Sequence, residues 1–276
     1  MSKNRNSAAR RLTIQRQLLV DGAVTVEALA RDLGVSEATI RRDLSVIEQD
    51  GAIRRTHGGA IAEAPRGADQ AFAIREQQDE AAKRAIARYA MTLVAPDQTL
   101  LMNDGSTILA LARELVASRM KLTVITPGVN IATYLSECPD IAVYLLGGQL
   151  RHQTLSTSGG FAESMLGSFN ADIAFMSAEG LSAKSGLTYS YETDAVLAAA
   201  MRSKAKTTIV LATSRKIGQR DRITALPTGE IDLLVTDCQD SRQLQALSAA
   251  GVDVEACETR EGKLESLVNN RSKSGA

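Results

Sequence analysis

Aromatic side chains are scarce in this chain. It has no Trp, five Tyr and four Phe, and the first of them is Phe72. Without rings for unstacked bases to lie on, the N-terminal part is ill suited to single-stranded nucleic acid and better suited to a duplex. Cysteine is scarce too. Cys138, Cys238 and Cys257 are odd in number and lack CxxC spacing, which argues against a disulfide framework or structural zinc and for a reducing cytoplasm. The two histidines, His57 and His152, offer no evident pairing with a carboxylate. Neither GxGxxG nor GxxxxGK(S/T) occurs, so nucleotide-dependent chemistry has no motif behind it. There is no run of about eighteen apolar residues, and the first residues are polar and basic rather than a signal-like apolar stretch. The expectation is a soluble, cytoplasmic protein with no membrane partner, no metal and no cofactor.

What is present is a globular composition: 276 residues, 44% hydrophobic and 23% charged, enough for one large and one small domain. The formal charge is zero, but it is unevenly spread. Residues 1–60 hold ten Lys/Arg against seven Asp/Glu, or +3, and the remainder is −3. Positive charge gathers where phosphate would be met, modestly enough that strong binding would need a dimer.

The chain is organised around Val35-Ser36-Glu37-Ala38-Thr39-Ile40-Arg41-Arg42-Asp43-Leu44. Ser36 is placed to cap a helix, and Thr39 to Arg42 then fall in its first two turns. Ile40, Leu44 and Ile47 recur at helical spacing and make one buried stripe, with Glu37, Arg41, Ser45 and Glu48 opposite and Thr39 and Arg42 on the flanks. A short helix with a capped, polar, basic leading end suits a major groove, where Arg reads guanine or grips phosphate. Upstream, Leu12, Leu18 and Leu19 give an apolar side to a helix of roughly residues 8–21. After an extended Val24-Thr25-Val26, the positions Val26, Leu29, Ala30 and Leu33 give a second helix that Gly34 ends, so Gly34-Val35 is the turn between two helices. Asp50-Gly51 stops the third, and Ala52 to Ile61 reads as a β-hairpin carrying Arg54, Arg55 and His57.

The pattern Val26-x-x-Leu29-Ala30-x-x-Leu33-x-Val35-Ser36-x-x-Thr39-Ile40-Arg41-Arg42-Asp43-Leu44, followed by Gly51-x-Ile53-x-Arg55-x-His57-Gly58-Gly59-Ala60, resembles the winged helix-turn-helix of DeoR-family bacterial transcription regulators. The resemblance implies contacts with double-stranded operator DNA by Ser36, Thr39, Arg41 and Arg42 of the helix and by Arg54, Arg55 and His57 of the wing. A homodimer or homotetramer is expected, with paired half-sites for a two-fold dimer. The competing reading of the charges is a solvated helix whose arginines pair only with Glu37 and Asp43.

Beyond a linker over 62–74, Ala71 to Leu93 reads as one helix closed by Pro96-Asp97, and it includes Arg75, Lys83, Ile86 and Ala87, which the family resemblance shares. From Thr99 short apolar strands alternate with helices: strands at Thr99–Asn103, Leu122–Thr126, Ile141–Leu146, Asp172–Ser177, Thr207–Ala212 and Leu233–Thr236, helices at Ser106–Ser118, Ile131–Cys138, Thr193–Ser203 and Ser241–Ala250. That alternation predicts an α/β fold: an N-terminal winged helix-turn-helix domain over 1–61, then a doubly wound, mostly parallel sensor domain over 75–258 and a tail over 259–276. Ligands bind beyond the carboxyl ends of such strands. Three loops stand there: Asn103-Asp104-Gly105-Ser106-Thr107, Thr126-Pro127-Gly128-Val129-Asn130 and Gly147-Gly148-Gln149. The first offers helix N–H groups and hydroxyls to a phosphate, or is simply a capped helix.

The resemblance implies a sensor domain similar in fold to sugar-phosphate isomerases and CoA transferases, answering to a small-molecule effector, often a phosphorylated sugar. It matches Asp104-Gly105-Ser106-Thr107, one residue shorter than the family pattern, as well as Gly147-Gly148 and Lys216, which would neutralise phosphate. The chain departs from the family at Pro127, where Asn is common, at Ala198, where a helical Lys is common, and at Thr213, where Asp is common. The effector is then a less charged or larger metabolite. Two other readings stay open: an isomerase-like enzyme, for which Asp104, Asp172 and Glu179 are the acidic candidates, and a DNA binder with a vestigial sensor.

Overall fold

A computed structural model describes residues 7, 10, 11, 13, 14, 17, 18, 23–49, 53–56, 58–62, 72–151 and 154–258. Two compact units divide the chain, residues 1–69 and 70–276.

In the first unit, the described residues between 7 and 18 are helical, and Ile14 and Leu18 are fully buried. Leu12, Leu19, the stop at Asp50-Gly51, the linker positions 63–71 and the tail over 259–276 lie outside the described residues. Strand β1 (Ala23–Thr25) is followed directly by α1 (Val26–Leu33), so Val26 opens the helix rather than ending the strand as the sequence suggested. Thr25 explains why: its Oγ1 accepts the Ala28 N–H at 3.2 Å, satisfying an orphan donor of the first turn. Gly34, at φ +63°, ends α1 in the left-handed conformation that glycine adopts at least cost. Helix α2 (Glu37–Gln49) starts with the Thr39 N–H donating to Ser36 Oγ at 3.3 Å. Strands β2 (Ile53–Thr56) and β3 (Gly59–Ala62) form the expected hairpin, and β1 adds a third antiparallel strand, in order β1-β3-β2. Gly59 is obligatory in this arrangement, because a Cβ there would lie 1.9 Å from the Val24 carbonyl oxygen.

Ile40, Leu44 and Ile47 join Ile14, Leu18, Val26, Leu29 and Ala60 in one small core. Beside it Arg10 Nε donates to Asp43 Oδ2 at 2.6 Å, so the carboxylate in the middle of α2 is neutralised by the first helix.

The second unit is built on a seven-stranded sheet in order β15-β14-β12-β9-β4-β5-β6, every neighbouring pair parallel. Its strands are β4 (Thr99–Met102), β5 (Leu122–Thr126), β6 (Ile141–Leu145), β9 (Ala171–Ser177), β12 (Ala205–Ala212), β14 (Leu233–Thr236) and β15 (Asp253–Ala256). Alternation sorts each strand between two cores. Leu100, Met102, Val124, Phe175, Ile209 and Leu211 face the cluster covered by α4 (Glu80–Met91), α5 (Ser106–Ser118) and α6 (Val129–Leu135). Leu101, Ile125, Met176, Val210 and Leu234 face the other, covered by α7 (Gly160–Leu166), α8 (Glu192–Lys204) and α9 (Ser241–Ala249). A sheet buried on both faces is the doubly wound architecture that the sequence predicts.

From β4 the chain winds one way through β5 and β6 and the other way through β9, β12, β14 and β15. The topological switch point is therefore the crevice between β4 and β9. Around it lie small antiparallel pieces that the sequence reading missed: the hairpin β7 (Gln149–Arg151) with β8 (Ser156–Ser158), and a sheet of β10 (Gly180–Ser182), β11 (Gly186–Tyr189) and β13 (Ile223–Leu226). Strands of three or four residues rich in Ser, Thr and Gly carry too little alternation to be seen.

The helix expected over Ala71–Leu93 is two helices, α3 (Phe72–Gln77) and α4, with Asp79 at φ +53° in the break. α4 ends at Met91, where Thr92 Oγ1 donates to the Tyr89 carbonyl at 2.7 Å, before Pro96 is reached. Phe72, in the helix expected from Ala71, is buried in the second unit's core. The α3–α4 corner is clamped by Lys83, whose ammonium donates to the carbonyls of Arg75 and Gln78. Burial pulls the Lys83 pKa down to about 8, and Lys216 and Arg75 act in the same direction against the opposing Asp79.

Two outcomes follow from these cores. Leu44→Ala should cost the first unit about 3 kcal/mol, the usual range for emptying a buried leucine site. Chemical denaturation followed by exchange of α2 amides would show that loss, while β9 and β12 amides keep their protection. The folded state holds the Lys83 ammonium less tightly than the unfolded chain does, so this residue costs stability while both states are protonated. Stability should therefore rise with pH from about 8 to 10.5, with a slope of at most about 1.4 kcal/mol per pH unit. In Lys83→Met this contribution to the slope disappears in pH-resolved thermal unfolding.

Candidate functional site

Two sites come from the two units. In the first, α2 presents its polar face. Arg42 is exposed and Thr39 half-buried, and Thr39 shares a 2.9 Å hydrogen bond with Ser36 Oγ. Arg41 Nη2 donates to Glu37 one turn earlier at 2.9 Å, an exposed i,i+4 pair that a phosphate would displace at little cost. The wing is docked on the same helix: the Arg55 N–H donates to Glu48 Oε1 at 3.0 Å and Arg55 Nη1 to Ser45 Oγ at 2.8 Å. Of the charge pairs in the solvated-helix reading, Arg41–Glu37 forms, whereas Asp43 pairs with Arg10 and Arg42 has no ion pair among the described residues. His57 and the side chain of Arg54 lie outside the described residues.

In the second unit the carboxyl ends of β4 and β9 are tied by side chains. The Asn103 N–H continues the ladder to the Phe175 carbonyl at 3.1 Å. Asn103 Oδ1 then accepts the Ser177 N–H at 2.8 Å, while Nδ2 donates to the Ser177 carbonyl and to the Tyr189 hydroxyl. Tyr189 OH donates onward to the Ser177 carbonyl at 2.7 Å. Burial holds the Tyr189 pKa well above its ordinary value, with the Asp104, Glu179 and Asp194 charges adding to it.

A small cavity opens beside this knot, lined by Asn103, Asp104, Tyr189 and Asp194 and by the apolar Pro127, Leu197, Ala198 and Met201, with Ser156 and Thr157 of β8 closing it. The space open to a water centre is about 10 Å³, room for about one water. Burial pushes the Asp104 pKa up and the Asp194 carboxylate adds to the shift, against a hydrogen bond from Ser156 and the charge of Arg75. Asp194 itself is held by Arg151, whose Nη1 lies 2.6 Å from both carboxylate oxygens and whose guanidinium stacks 3.9 Å over the Tyr191 ring. Burial works against the Arg151 charge, but Asp194 outweighs it and the net shift is upward.

Further along the strand ends, Glu179 Oε2 accepts the Ser190 N–H at 2.6 Å, and Ser190 Oγ donates to Asp221 at 2.6 Å. Burial raises the Glu179 pKa and lowers that of Lys216, and these two groups oppose each other's shift. Arg75 lowers the Lys216 pKa as well as that of Asp104, so α3 projects positive charge between the two ends of the crevice.

Among the effector-site candidates read from the sequence, Asp104 alone lines the cavity, together with Pro127 and Ala198, two of the three departures from the family pattern. Glu179 and Lys216 form the neighbouring cluster. Gly105 is fixed by geometry, since φ is +132° and a Cβ would lie 2.3 Å from Ser177 Oγ. Ser106 and Thr107 open α5, with Thr107 buried. Thr126 is fully buried, and its Oγ1 accepts the Gly128 N–H at 3.0 Å. Gly148 allows β7 to approach β8, where a Cβ would meet the Ser158 carbonyl oxygen at 2.5 Å, and Gly147 precedes it in the same turn. Asn130 keeps both side-chain polar atoms buried and without a partner among the described residues. Thr213, the third departure, is buried beneath the strand ends. Sequence reasoning placed Asn103 in the first loop without giving it a role, and missed Arg151, Tyr189, Asp194 and Arg75 as members of the site. Arg151 and Tyr189 sit on short strands that the sequence did not show, Asp194 and Arg75 read as helix positions, and the Asn103–Tyr189 and Arg151–Asp194 pairings span 86 and 43 residues. The described residues hold no cluster of metal-ligating side chains and no helix long and apolar enough to cross a membrane.

Family models match both units: a DeoR-like helix-turn-helix domain over residues 10–66 and a DeoR C-terminal sensor domain over residues 78–238. Among similar proteins, the HTH-type transcriptional regulator GlpR of Haloferax volcanii is 36% identical over 231 residues, covering 83% of this chain and 90% of that protein. The HTH-type transcriptional repressor GlcR of Bacillus subtilis is 33% identical over 241 residues, 87% and 92% of the two chains. The lactose phosphotransferase system repressor of Lactococcus lactis is 29% identical over 228 residues, 82% and 89%. A capped, basic helix on a docked wing joined to a sheet-end crevice, matched along both units, makes this chain a member of the DeoR family of helix-turn-helix transcriptional regulators, a DNA-binding protein with an effector-sensing domain and not an enzyme.

Proposed function

We propose that this regulator is a repressor of genes for the use of a carbohydrate or related metabolite, and that a small hydroxylated effector entering the β4–β9 crevice releases it from its operator. Two of the similar proteins are repressors by name, one of them of a sugar phosphotransferase system. The observation that carries the reading of the sensor is the crevice itself. Asp104 and Asp194 face one small cavity with Asn103 and Tyr189, and carboxylates and amides in such a place are acceptors for the hydroxyls of a sugar or polyol. Arg75 and Lys216 lie on the side toward Glu179, where an anionic substituent would be met.

The cavity's size supplies the coupling. With room for about one water, the present conformation excludes a sugar-sized ligand. Such an effector therefore binds a more open conformation and stabilises it, and only a differential affinity of this kind shifts a conformational equilibrium. A coupling of about 1–3 kcal/mol would weaken operator binding about 5–150-fold.

On the DNA side, Arg42 and Thr39 reach the base edges or phosphates, Ser36, Arg41 and His57 take phosphates, and Arg54 and Arg55 position the wing. Two experiments test the proposal. Arg42→Ala should lower operator affinity by about tenfold or more, the loss of one good base or phosphate contact per protomer, with an unchanged circular-dichroism spectrum. A variant that footprints the DNA upstream of its own gene as wild type does would remove Arg42 from the interface. Asp104→Asn should footprint normally, yet no longer be released by whichever sugar, polyol or sugar phosphate of a panel releases the wild type. If no compound of the panel alters wild-type protection, the result favours a DNA binder with a vestigial sensor or an effector outside the panel.

A further inference from the structure

The two edges of the large sheet differ in a way that the crevice does not explain. The outer edge at β15 reads Asp253-Val254-Glu255-Ala256, with two charges on a four-residue strand, a usual protection against unwanted pairing. The opposite edge, β6, reads Ile141-Ala142-Val143-Tyr144-Leu145, is hydrogen-bonded only to β5 among the described residues, and has no charge. Seven large apolar side chains are exposed among the described residues, and five of them fall between residues 144 and 161. Tyr144, Leu145, Leu150 and Leu155 are each exposed by 38–45%, and Phe161 by 82%.

Four of these residues lie on β6 and the elements next to it on one side of the sheet, while Leu145, which follows Tyr144 in the strand, points to the other side. Thr157 Oγ1 of β8 donates to the Leu146 carbonyl at the end of β6, which holds the β7–β8 hairpin against that strand end. α7 begins two residues after β8, and Phe169 just beyond its end lies against the Tyr144 ring at 5.1 Å between centroids. The same stretch is almost free of charge. From Ile141 to Ala162 the only charged residue is Arg151, in a chain that is 23% charged, and Arg151 is turned inward onto Asp194 and Tyr191.

We propose that this β6–hairpin–α7 face is where a second copy of the chain docks. A two-fold contact sets each surface patch against itself or its neighbour, so any net charge on it would meet its own sign. This face carries a row of exposed apolar groups and, apart from the half-buried Glu163 of α7, no uncompensated charge among the described residues, whereas the β15 edge would bring Asp253 and Glu255 against each other. An exposed apolar patch beside a free strand edge is otherwise an aggregation site. The docking also puts two helix-turn-helix units in one particle, as recognition of paired half-sites needs.

The test is sedimentation equilibrium of the full chain at micromolar concentration, with Leu150→Glu/Phe161→Glu as the interface variant and Asp253→Lys as a control on the other edge. Both replaced side chains of the interface variant are exposed, and an unchanged circular-dichroism spectrum checks that it is folded. The expected result is a wild-type mass at least twice the 29.4 kDa of one chain, halved in the interface variant and unchanged in the control. Exchange of β6 amides should slow with concentration in the wild type and not in the variant. A variant that keeps the wild-type mass overturns the proposal, as does a wild type that sediments at 29.4 kDa. A monomeric wild type that dimerises once residues 259–276 are removed would assign the face to that segment and overturn it likewise.

Discussion

The sensor unit depends on what Asn103 does where β4 and β9 part. Its backbone N–H makes the last ladder bond to Phe175, and its side chain then acts as one more strand residue, accepting from and donating to the backbone of Ser177. A buried amide with both ends satisfied fixes the separation of the two strand ends. That separation is what lets the Asp104 loop turn across to Ser177, whose Oγ donates to the Asp104 carbonyl at 2.8 Å, over a Gly105 that has no room for a Cβ. Tyr189 is anchored on the same two residues. The polar wall of the crevice is thus a consequence of one side chain holding the switch point of a parallel sheet.

Charge around that wall is balanced locally. Two carboxylates that share a cavity repel, and burial together with the Asp194 charge raises the pKa of Asp104; Arg151 holds Asp194, while Asp104 has a hydrogen bond from Ser156 and the more distant charge of Arg75. The asymmetry makes Asp104 the looser acceptor. Where the family pattern commonly has a helical lysine, Ala198 stands one turn after Asp194 on α8, and the cation beside Asp194 comes instead from the β7 hairpin. The balance is kept by an arginine that is already paired, and the space beside it is lined by Pro127, Leu197, Ala198 and Met201. On the proposed reading, an effector here would meet acceptors and apolar surface at this end of the crevice, where the one cation is already paired with Asp194, and the cations Arg75 and Lys216 toward the other.

The legibility of the chain followed the strength of its periodic signals. The buried stripe Ile40, Leu44 and Ile47, the turn at Gly34 and the strand–helix alternation from Thr99 were readable, because burial on one face or both imposes a period on the residues. Helix Ser106–Ser118 and strands Leu122–Thr126 and Leu233–Thr236 lie where the sequence placed them. The break at Asp79 was not readable, since its cause is tertiary: Lys83 turns back to cap the end of α3. The membership of the crevice was half readable. Asp104, Glu179 and Lys216 stand at strand ends, whereas Asn103–Ser177 and Arg151–Asp194 are pairings across 74 and 43 residues, and a single sequence carries no record of those distances.

The placement of Arg75 joins the two halves of the proposed mechanism. α3 is the first helix of the sensor unit in sequence, reached directly from the segment that leads out of the wing. Its Phe72 is sealed into the core, its Glu76 is ion-paired with Arg113 of α5, and its carbonyls are gripped by Lys83. The helix is therefore fixed to the scaffold at three points, and Arg75 is the residue through which it feels the charges of Asp104 and Lys216. On the proposed reading, an effector that takes hydrogen bonds at Asp104 or sets an anionic group near Lys216 changes the field at Arg75. The same side chain sits on the element that connects to the DNA-binding unit. Because α3 has only six residues, it has little cohesion of its own beyond these anchors, and a shift of one anchor is a larger fraction of what holds it than it would be in α5. A short, externally anchored helix at the entrance of the sensor is thus the element best suited to turn crevice occupancy into a change at the linker.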